Sequence, residues 1–183
     1  YSDPKAFAAE AARRAMSGSE LGHIILSDPI DAGRFSNTRY GSNDNNGTYA
    51  GVKSFQMTPG DNIVFFVIPN GTMEEFAERL AQGGDPRFHV SIPGLNPNGD
   101  PQFAQLKASS GDGSIITFED YPLADAEHTD FNDAIFQIRG ATGQVPELGD
   151  LIDLSQGWWS RMLGQTIMDY GDPYLTPVDD PLE

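Results

Sequence analysis

The sequence contains no cysteine and few basic residues. Of its 183 residues, 27 are Asp or Glu and only 11 are Lys or Arg, which gives a formal net charge of −16. The absence of cysteine excludes disulfides, thiol chemistry and zinc sites built from thiolates. The three histidines show no His-x-x-x-His spacing, and a chain this acidic repels nucleic acid and anionic membranes. We therefore expect no nucleic-acid partner.

Long hydrophobic runs are also missing. The longest apolar run, residues 63–68, is far shorter than the roughly 20 residues that a membrane span needs, so we expect no membrane insertion. The sequence begins at Tyr1 with neither an initiator Met nor a signal peptide, and we interpret it as part of a longer multidomain chain. Its length predicts a single domain over residues 1–183. The lack of cysteine with abundant Gly, Asn and Asp favours a secreted or cell-surface location.

The residue patterns predict a mainly β protein with helical additions. Seven short β-like runs separated by turn-rich segments favour antiparallel hairpins and a jelly-roll-like β-sandwich. These runs are residues 22–27, 49–57, 62–68, 87–92, 102–108, 114–119 and 134–139.

Three further segments show helical signals. Residues 5–16 predict an N-terminal helix, because Asp3 can accept hydrogen bonds from its free amides and Pro4 suits its first turn. Thr72 and Glu75 have capping-box spacing, which predicts an inserted helix. Apolar spacing over residues 158–170 predicts a last helix or an irregular segment. Its two tryptophans either pack in the core or leave one ring exposed to grip a ligand.

Acidic residues are concentrated between residues 118 and 133, which read FEDYPLADAEHTDFND and include no Lys or Arg. Carboxylates this close repel one another unless a cation neutralises them, and oxygen ligands are those that calcium prefers. Strand alternation would place Asp130 and Asn132 on one face, opposite Phe131, where Asp120 and Asp125 could complete the coordination. Alternatively, these side chains cap turns or are solvated. The density of charge favours a calcium site.

Four motifs occur in order at residues 60–72 (GDNIVFFVIPNGT), 95–100 (LNPNGD), 118–120 (FED) and 130–136 (DFNDAIF). In sequence and spacing they resemble the DUF4114 family of bacterial secreted and surface proteins, over about residues 60–140. The resemblance implies a β-rich, calcium-binding module of large adhesins, including some of the RTX type. Its pattern implies that the metal ligands are Glu119, Asp120, Asp130, Asn132 and Asp133, with Asp125 as a further candidate.

Two other polar segments allow two interpretations each. Asn96, Asn98 and Asp100 offer oxygens at alternate positions, for a second calcium ion or for an Asx turn. The long loop at residues 35–50 contains a run of Asn and Asp that indicates either a plain turn or a recognition loop. In the second case the candidate ligand-binding residues are Tyr40, Asn43, Asp44, Asn45, Asn46 and Tyr49.

These features together predict a calcium-dependent, extracellular ligand-binding module of a bacterial adhesin, monomeric as a fragment. Its partner would be a peptide, a protein or a glycan on a host or neighbouring cell surface. The alternative is a structural spacer of a surface fibre that calcium makes rigid. We do not expect an enzyme, because the sequence has no nucleophile elbow or phosphate-binding loop and its carboxylates crowd one loop, unlike a glycosidase pair. A glycan or peptide hydrolase is the third interpretation.

Overall fold

The computed structural model contains both helices and antiparallel sheets in the part of the chain that it describes. This part comprises residues 3–27, 29–35, 47–106, 113–125, 128–141, 145–155 and 157–172. It contains three α-helices and two small antiparallel sheets, about 29% helix and 16% strand. The helical additions and the antiparallel sheets are confirmed. A predominance of β structure and a jelly-roll sandwich are not confirmed.

The chain divides into two compact units, Tyr1–Phe88 and His89–Glu183. The first unit contains helix α1 (Pro4–Ser17), strand β1 (Phe66–Val67) and helix α2 (Met73–Ala81). The second unit contains strands β2 (His89–Val90), β3 (Phe103–Gln105), β4 (Gly113–Phe118) and β5 (Ala134–Arg139), and helix α3 (Met162–Gly171). Short 3₁₀ helices lie at Pro93–Leu95, Pro97–Gly99 and Leu148–Asp150. The prediction of a single domain stays a prediction.

Both helices of the first unit begin at the predicted caps. The Asp3 carboxylate accepts hydrogen bonds from the backbone N–H groups of Lys5 and Ala6, at 2.9 and 3.2 Å. At the start of α2, Thr72 and Glu75 form both hydrogen bonds of a capping box. The helices pack against each other around a small apolar core. This core contains Ala8, Ala12, Phe66, Phe76 and Phe88.

Two predicted strands of the first unit, residues 22–27 and 49–57, do not form. Where the two segments meet, side chains contribute hydrogen bonds in place of a backbone ladder, and Lys53 Nζ donates to the carbonyl of Ile25 at 3.1 Å. Most of their apolar residues are exposed, with Val52 at 73%. The alternating pattern was misleading because a strand needs a hydrogen-bonding neighbour and a core to cover one face. Neither is supplied here within the described residues.

The second unit is built on an antiparallel sheet in the order β3-β4-β5. All six residues of the central strand β4 are buried, including the polar residues Ser114 and Thr117. The register pairs Phe118, at the end of β4, with Ala134, at the start of β5. Both ends of the acidic segment between these strands are therefore fixed at the same end of the sheet. The core beside them contains Ala104, Leu106, Ile115, Phe131 and Leu148.

Trp158 and Trp159 pack against this core together with residues of α3. Their rings meet edge to face with centroids 5.7 Å apart. Both rings are half-buried, so they pack against the core without lying fully inside it. The helical character of the segment that follows them is confirmed. No helix of the described residues has the length and apolar character that crossing a membrane requires.

Candidate metal centre

Glu119 is the buried centre of the acidic loop, which we define as residues 119–133. It follows β4 directly and is only 1% exposed. Its Oε1 accepts a hydrogen bond from the N–H of Tyr121 at 2.8 Å. Its Oε2 accepts from the N–H groups of Asp130 at 2.8 Å and Phe131 at 2.9 Å. One carboxylate therefore joins both ends of the loop through three charge-assisted hydrogen bonds.

Phe131 fixes the far end of the loop in an uncommon conformation. Its φ is +54°, a left-handed value that bulky residues rarely adopt, and its side chain is fully buried. The Thr117 hydroxyl donates to the carbonyl of Phe131, and Trp158 Nε1 donates to the carbonyl of Asp130 at 2.7 Å. The predicted strand alternation at residues 130–133 is therefore wrong for the backbone, although Phe131 does point into the core.

Three carboxylates come together at this end of the sheet: those of Glu119, Asp120 and Asp133. One oxygen atom from each lies within 4.8 Å of the others. Glu119 is buried, Asp120 is half-buried and Asp133 is exposed as a whole residue. The Asp133 carboxylate nevertheless faces its neighbours, since its Oδ2 accepts from the N–H of Asp120 at 2.6 Å. This acidic triad is an oxygen-only donor set of the kind that binds hard cations.

Like charges make the triad unfavourable in its ionised form. Partial burial is the main cause that raises the pKa of Asp133 to about 7. A hydrogen bond from the N–H of Asp120 opposes the increase, and repulsion by the carboxylates of Glu119 and Asp120 adds to it. Burial, with repulsion by Glu119, also raises the pKa of Asp130, although a hydrogen bond from Asn132 opposes the rise. A bound cation would remove this repulsion, because it favours the charged form of every carboxylate around it.

The other predicted ligands of the acidic loop make contacts of their own. Both Asp130 carboxylate oxygens accept hydrogen bonds from Asn132, one from its backbone N–H and one from its side-chain amide. Asp125 Oδ1 lies 3.0 Å from Nδ1 of His128, whose ring stacks on Tyr121. Asp125 and Asp130 lie outside the acidic triad. Metal binding by Asp125, Asp130 and Asn132 stays a prediction.

The Asn96 side chain joins its turn to strand β2 and does not form the Asx turn, in which its Oδ1 would accept from the N–H of residue 98. The Asn96 side chain is buried; its Oδ1 accepts from the N–H of Val90, and its Nδ2 donates to the carbonyls of Val90 and Asp100, each at 2.8 Å. Asn98, at the tip of the turn, has a φ of +61°. A second calcium ion held by Asn96, Asn98 and Asp100 stays a prediction. The side-chain amide of Asn96 already forms hydrogen bonds with the backbone.

Most of the predicted recognition loop lies outside the described residues. This applies to Tyr40, Asn43, Asp44, Asn45 and Asn46. Tyr49 is described and is 42% exposed, and its hydroxyl accepts a hydrogen bond from Arg34 Nη1 at 3.3 Å. Ligand binding by this loop stays a prediction.

The sequence analysis missed the contacts of two residues that support the acidic loop. Buried Gln102 donates from Nε2 to the carbonyls of Glu119 at 2.6 Å and Tyr121 at 2.9 Å. Trp158 donates to Asp130 from 28 residues away. Neither contact leaves a local signal, because each joins parts of the chain that only the fold brings together.

The fold and the triad thus define an acidic module of mixed helix and antiparallel sheet with a candidate cation site beside its central strand. Residues 57–141 match the model of the DUF4114 family, described as a domain of unknown function. The matched segment carries the whole acidic loop and both strands beside it, and the match confirms the family resemblance that its motifs predicted. Comparisons with curated proteins and with solved structures gave no match.

Proposed function

We propose that the DUF4114 segment binds calcium through Glu119, Asp120 and Asp133, and that it serves as an extracellular ligand-binding module of a bacterial adhesin. The observation that carries the proposal is the convergence of three carboxylates within 4.8 Å in a loop without Lys or Arg. The family resemblance supports the adhesin context. The proposal includes a β-sandwich architecture for the complete domain and a secreted or cell-surface location.

The donor set favours calcium over softer or smaller cations. The sequence has no cysteine and the triad has no histidine, so ligands preferred by zinc or copper are missing from it. Calcium accepts six to eight oxygens in flexible geometry, whereas magnesium requires near-ideal octahedral geometry and usually keeps several waters. Backbone carbonyls, water and a partner's oxygens can complete a calcium shell around three carboxylates.

A bound cation also explains how so acidic a chain can bind a partner. With open coordination positions, the ion would accept a carboxylate or a hydroxyl pair that the −16 chain would otherwise repel or ignore. The partner classes that fit this chemistry are a peptide or protein and a glycan on a cell surface.

The alternative function is a structural spacer, and one observation favours it. Glu119 already bonds three backbone N–H groups, so its main effect is to make the loop rigid. In a spacer the cation would extend that rigidity and no partner would complete its coordination.

Thermal unfolding tests the calcium site. Asp133→Asn should remove most of the melting shift that calcium gives to the wild type, because a ligand of the native state stabilises it by about 2.7 kcal/mol at 100 times its Kd. In excess chelator the same variant should be at least as stable as the wild type, since the substitution relieves repulsion in the triad. Asp150→Asn, at an exposed residue of the same unit, is the matched control and should keep the calcium shift. Equal melting of the wild type in calcium and in chelator would contradict the site.

A second experiment separates ligand binding from the spacer. The labelled protein is applied to peptide and glycan arrays in calcium and again in excess chelator. Hits that require calcium and are lost in Asp133→Asn support a recognition module and identify the ligand class. A calcium-dependent melting shift without any hit would favour the spacer.

A further inference from the structure

The tripeptide Pro-Asn-Gly occurs twice in the sequence, at residues 69–71 and 97–99. In both copies the asparagine is exposed and has a left-handed backbone, with a φ of +58° at Asn70 and +61° at Asn98. A proline followed by a residue of positive φ is typical of a type II turn. The two copies therefore have the same local sequence and the same unusual asparagine conformation.

The copies differ in the hydrogen bond that closes the turn. The N–H of Gly99 donates to the carbonyl of Asn96 at 3.1 Å. The corresponding groups in the other copy belong to Gly71 and Ile68, and within the described residues no hydrogen bond of normal geometry joins them. That turn is therefore of the open kind, and the backbone nitrogen of Gly71 is less constrained than that of Gly99.

An asparagine followed by glycine can lose its side-chain amide without an enzyme. The glycine nitrogen attacks Cγ of the asparagine: the N–Cγ bond forms, the Cγ–Nδ2 bond breaks, and ammonia leaves with the proton of the attacking N–H. Water then opens the cyclic imide. Attack of water at Cγ gives aspartate, and attack at the backbone carbonyl gives isoaspartate, in which the main chain runs through the side chain. Water is the only co-reactant, and nothing is oxidised or reduced.

We propose that Asn70 is a site of spontaneous conversion to aspartate and isoaspartate, and that its closed turn protects Asn98. Glycine has no Cβ to shield the attacking nitrogen, and both copies are open to water. At Asn98 the hydrogen bond from Gly99 must break before the ring can close. At Asn70 no such bond holds the nitrogen away from its target, so the attacking geometry is reached more often.

Conversion of Asn70 changes the chain just before α2. Asn70 lies two residues before Thr72, the N-cap of this helix. Both products add a negative charge, which the helix dipole favours at this end. Isoaspartate also adds one carbon to the main chain ahead of the cap. The site uses no residue of the acidic triad, so its failure would leave the calcium proposal untouched.

The test follows both asparagines in one sample. The whole chain is kept in mildly alkaline buffer with excess chelator, then digested with trypsin and analysed by mass spectrometry for replacement of the amide by a carboxyl group. Asn70 and Asn98 fall in different peptides, since Arg79 and Arg87 lie between them. We expect conversion of Asn70 to be at least about threefold faster than that of Asn98, the effect of one backbone hydrogen bond.

A second sample is digested before the incubation, which removes the fold and leaves the two Pro-Asn-Gly sequences to react at similar rates. Equal or slower conversion of Asn70 in the folded chain would overturn the proposal. A difference between the free peptides as large as that in the folded chain would also overturn it, because sequence and not the turn would then be the cause.

Gly71→Ala places a methyl group beside the attacking nitrogen and should slow conversion of Asn70 by about tenfold or more. The fold accepts this change, because the added Cβ would lie 3.4 Å from Glu75 Oε2 and 3.7 Å from Ile68 Cγ2. Gly94→Ala, where a Cβ meets nothing within 4 Å, is the matched control and should leave both rates unchanged. Melting curves establish that both variants fold. Conversion of Asn70 at the wild-type rate in Gly71→Ala would overturn the proposed reaction.

Discussion

Glu119 has two roles that the structure allows to be separated. Its two carboxylate oxygens accept three backbone hydrogen bonds from the acidic loop. One of these oxygens is also part of the acidic triad. These hydrogen bonds join the Glu119 carboxylate to the backbone of the loop, so this residue positions the loop on which Asp120 and Asp133 stand. Its substitution should therefore act in both the presence and the absence of calcium.

We predict that Glu119→Gln lowers the free energy of unfolding in excess chelator by about 2–4 kcal/mol, because a buried charged acceptor is replaced by a group with one donor end. Glu147→Gln, at an exposed glutamate of the same unit, is expected to change it by less than about 0.5 kcal/mol. Urea denaturation with and without calcium measures both. A loss of stability that occurs with calcium but not in excess chelator would contradict the positioning role.

Asp31 provides a pH-dependent contribution in the first unit. Lys53 Nζ lies 2.6 Å from Asp31 Oδ1, and this contact lowers the pKa of Asp31, with a further contribution from the N–H of Ser27, while burial opposes the shift. A carboxylate whose pKa is lower in the folded state adds stability above its unfolded pKa, about 3.9. That stability is lost as the pH falls through the folded value.

Asp31→Asn should therefore lower stability at pH 7 by on the order of 1 kcal/mol or less, the magnitude of a partly exposed ion pair. The difference from the wild type should shrink as the pH falls below about 4. Melting curves across this pH range measure the effect, with Asp61→Asn, at an exposed residue without an ion pair to the described residues, as the control. A difference that stays constant down to pH 2 would show that Asp31 acts through packing and not through charge.

At the scale of elements, strand β4 depends on a close backbone approach at its first residue. Gly113 lies opposite Arg139, and a Cβ atom there would collide with the carbonyl of Ile138 in the neighbouring strand. Because both groups belong to backbone, neither can rotate away.

We predict that Gly113→Ala destabilises the protein by about 1–3 kcal/mol, as expected when an added group forces the backbone to shift. Gly94→Ala is the matched control, since a Cβ at Gly94 would meet nothing within 4 Å. Denaturant midpoints of the two variants give the comparison. Equal midpoints would mean that β4 and β5 separate at this end without cost.

The elements also show what the sequence could predict. Helices α1 and α2 were predicted with their caps, because Asp3, Thr72 and Glu75 act within three residues of their partners. Strands β4 and β5 were predicted as short β-like runs separated by turn-rich segments. Residues 22–27 and 49–57 have the same β-like character, but a strand depends on distant neighbours that a local pattern does not contain.

The candidate site divides in the same way. Glu119, Asp120 and Asp133 could be predicted from acidic density and family motifs, which are properties of the sequence itself. The hydrogen bonds of Gln102 and Trp158 to the loop could not, because they span 17 and 28 residues. The left-handed backbone at Phe131 was missed for a further reason: its alternation with Asp130 and Asn132 is that of a strand.

For the whole molecule, the net charge of −16 predicts a strong dependence on salt. In chelator, raising NaCl from about 10 to 150 mM should increase the melting temperature, because the Debye length falls from roughly 30 to 8 Å and repulsion is screened. Calcium chloride at equal ionic strength should increase it further. If calcium, magnesium and sodium salts give equal shifts at matched ionic strength, screening explains the effect and no specific site is needed.

The hydrogen bond between Trp158 and the carbonyl of Asp130 has a practical consequence. The indole is half-buried, and the emission wavelength of such a ring depends on its polar contacts and on nearby water. A rearrangement of the acidic loop should therefore shift the emission wavelength of Trp158. The neighbouring Trp159 also contributes to the emission. The chain carries its own optical reporter, and a Trp158→Phe variant shows how much of the signal belongs to the ring that touches the loop.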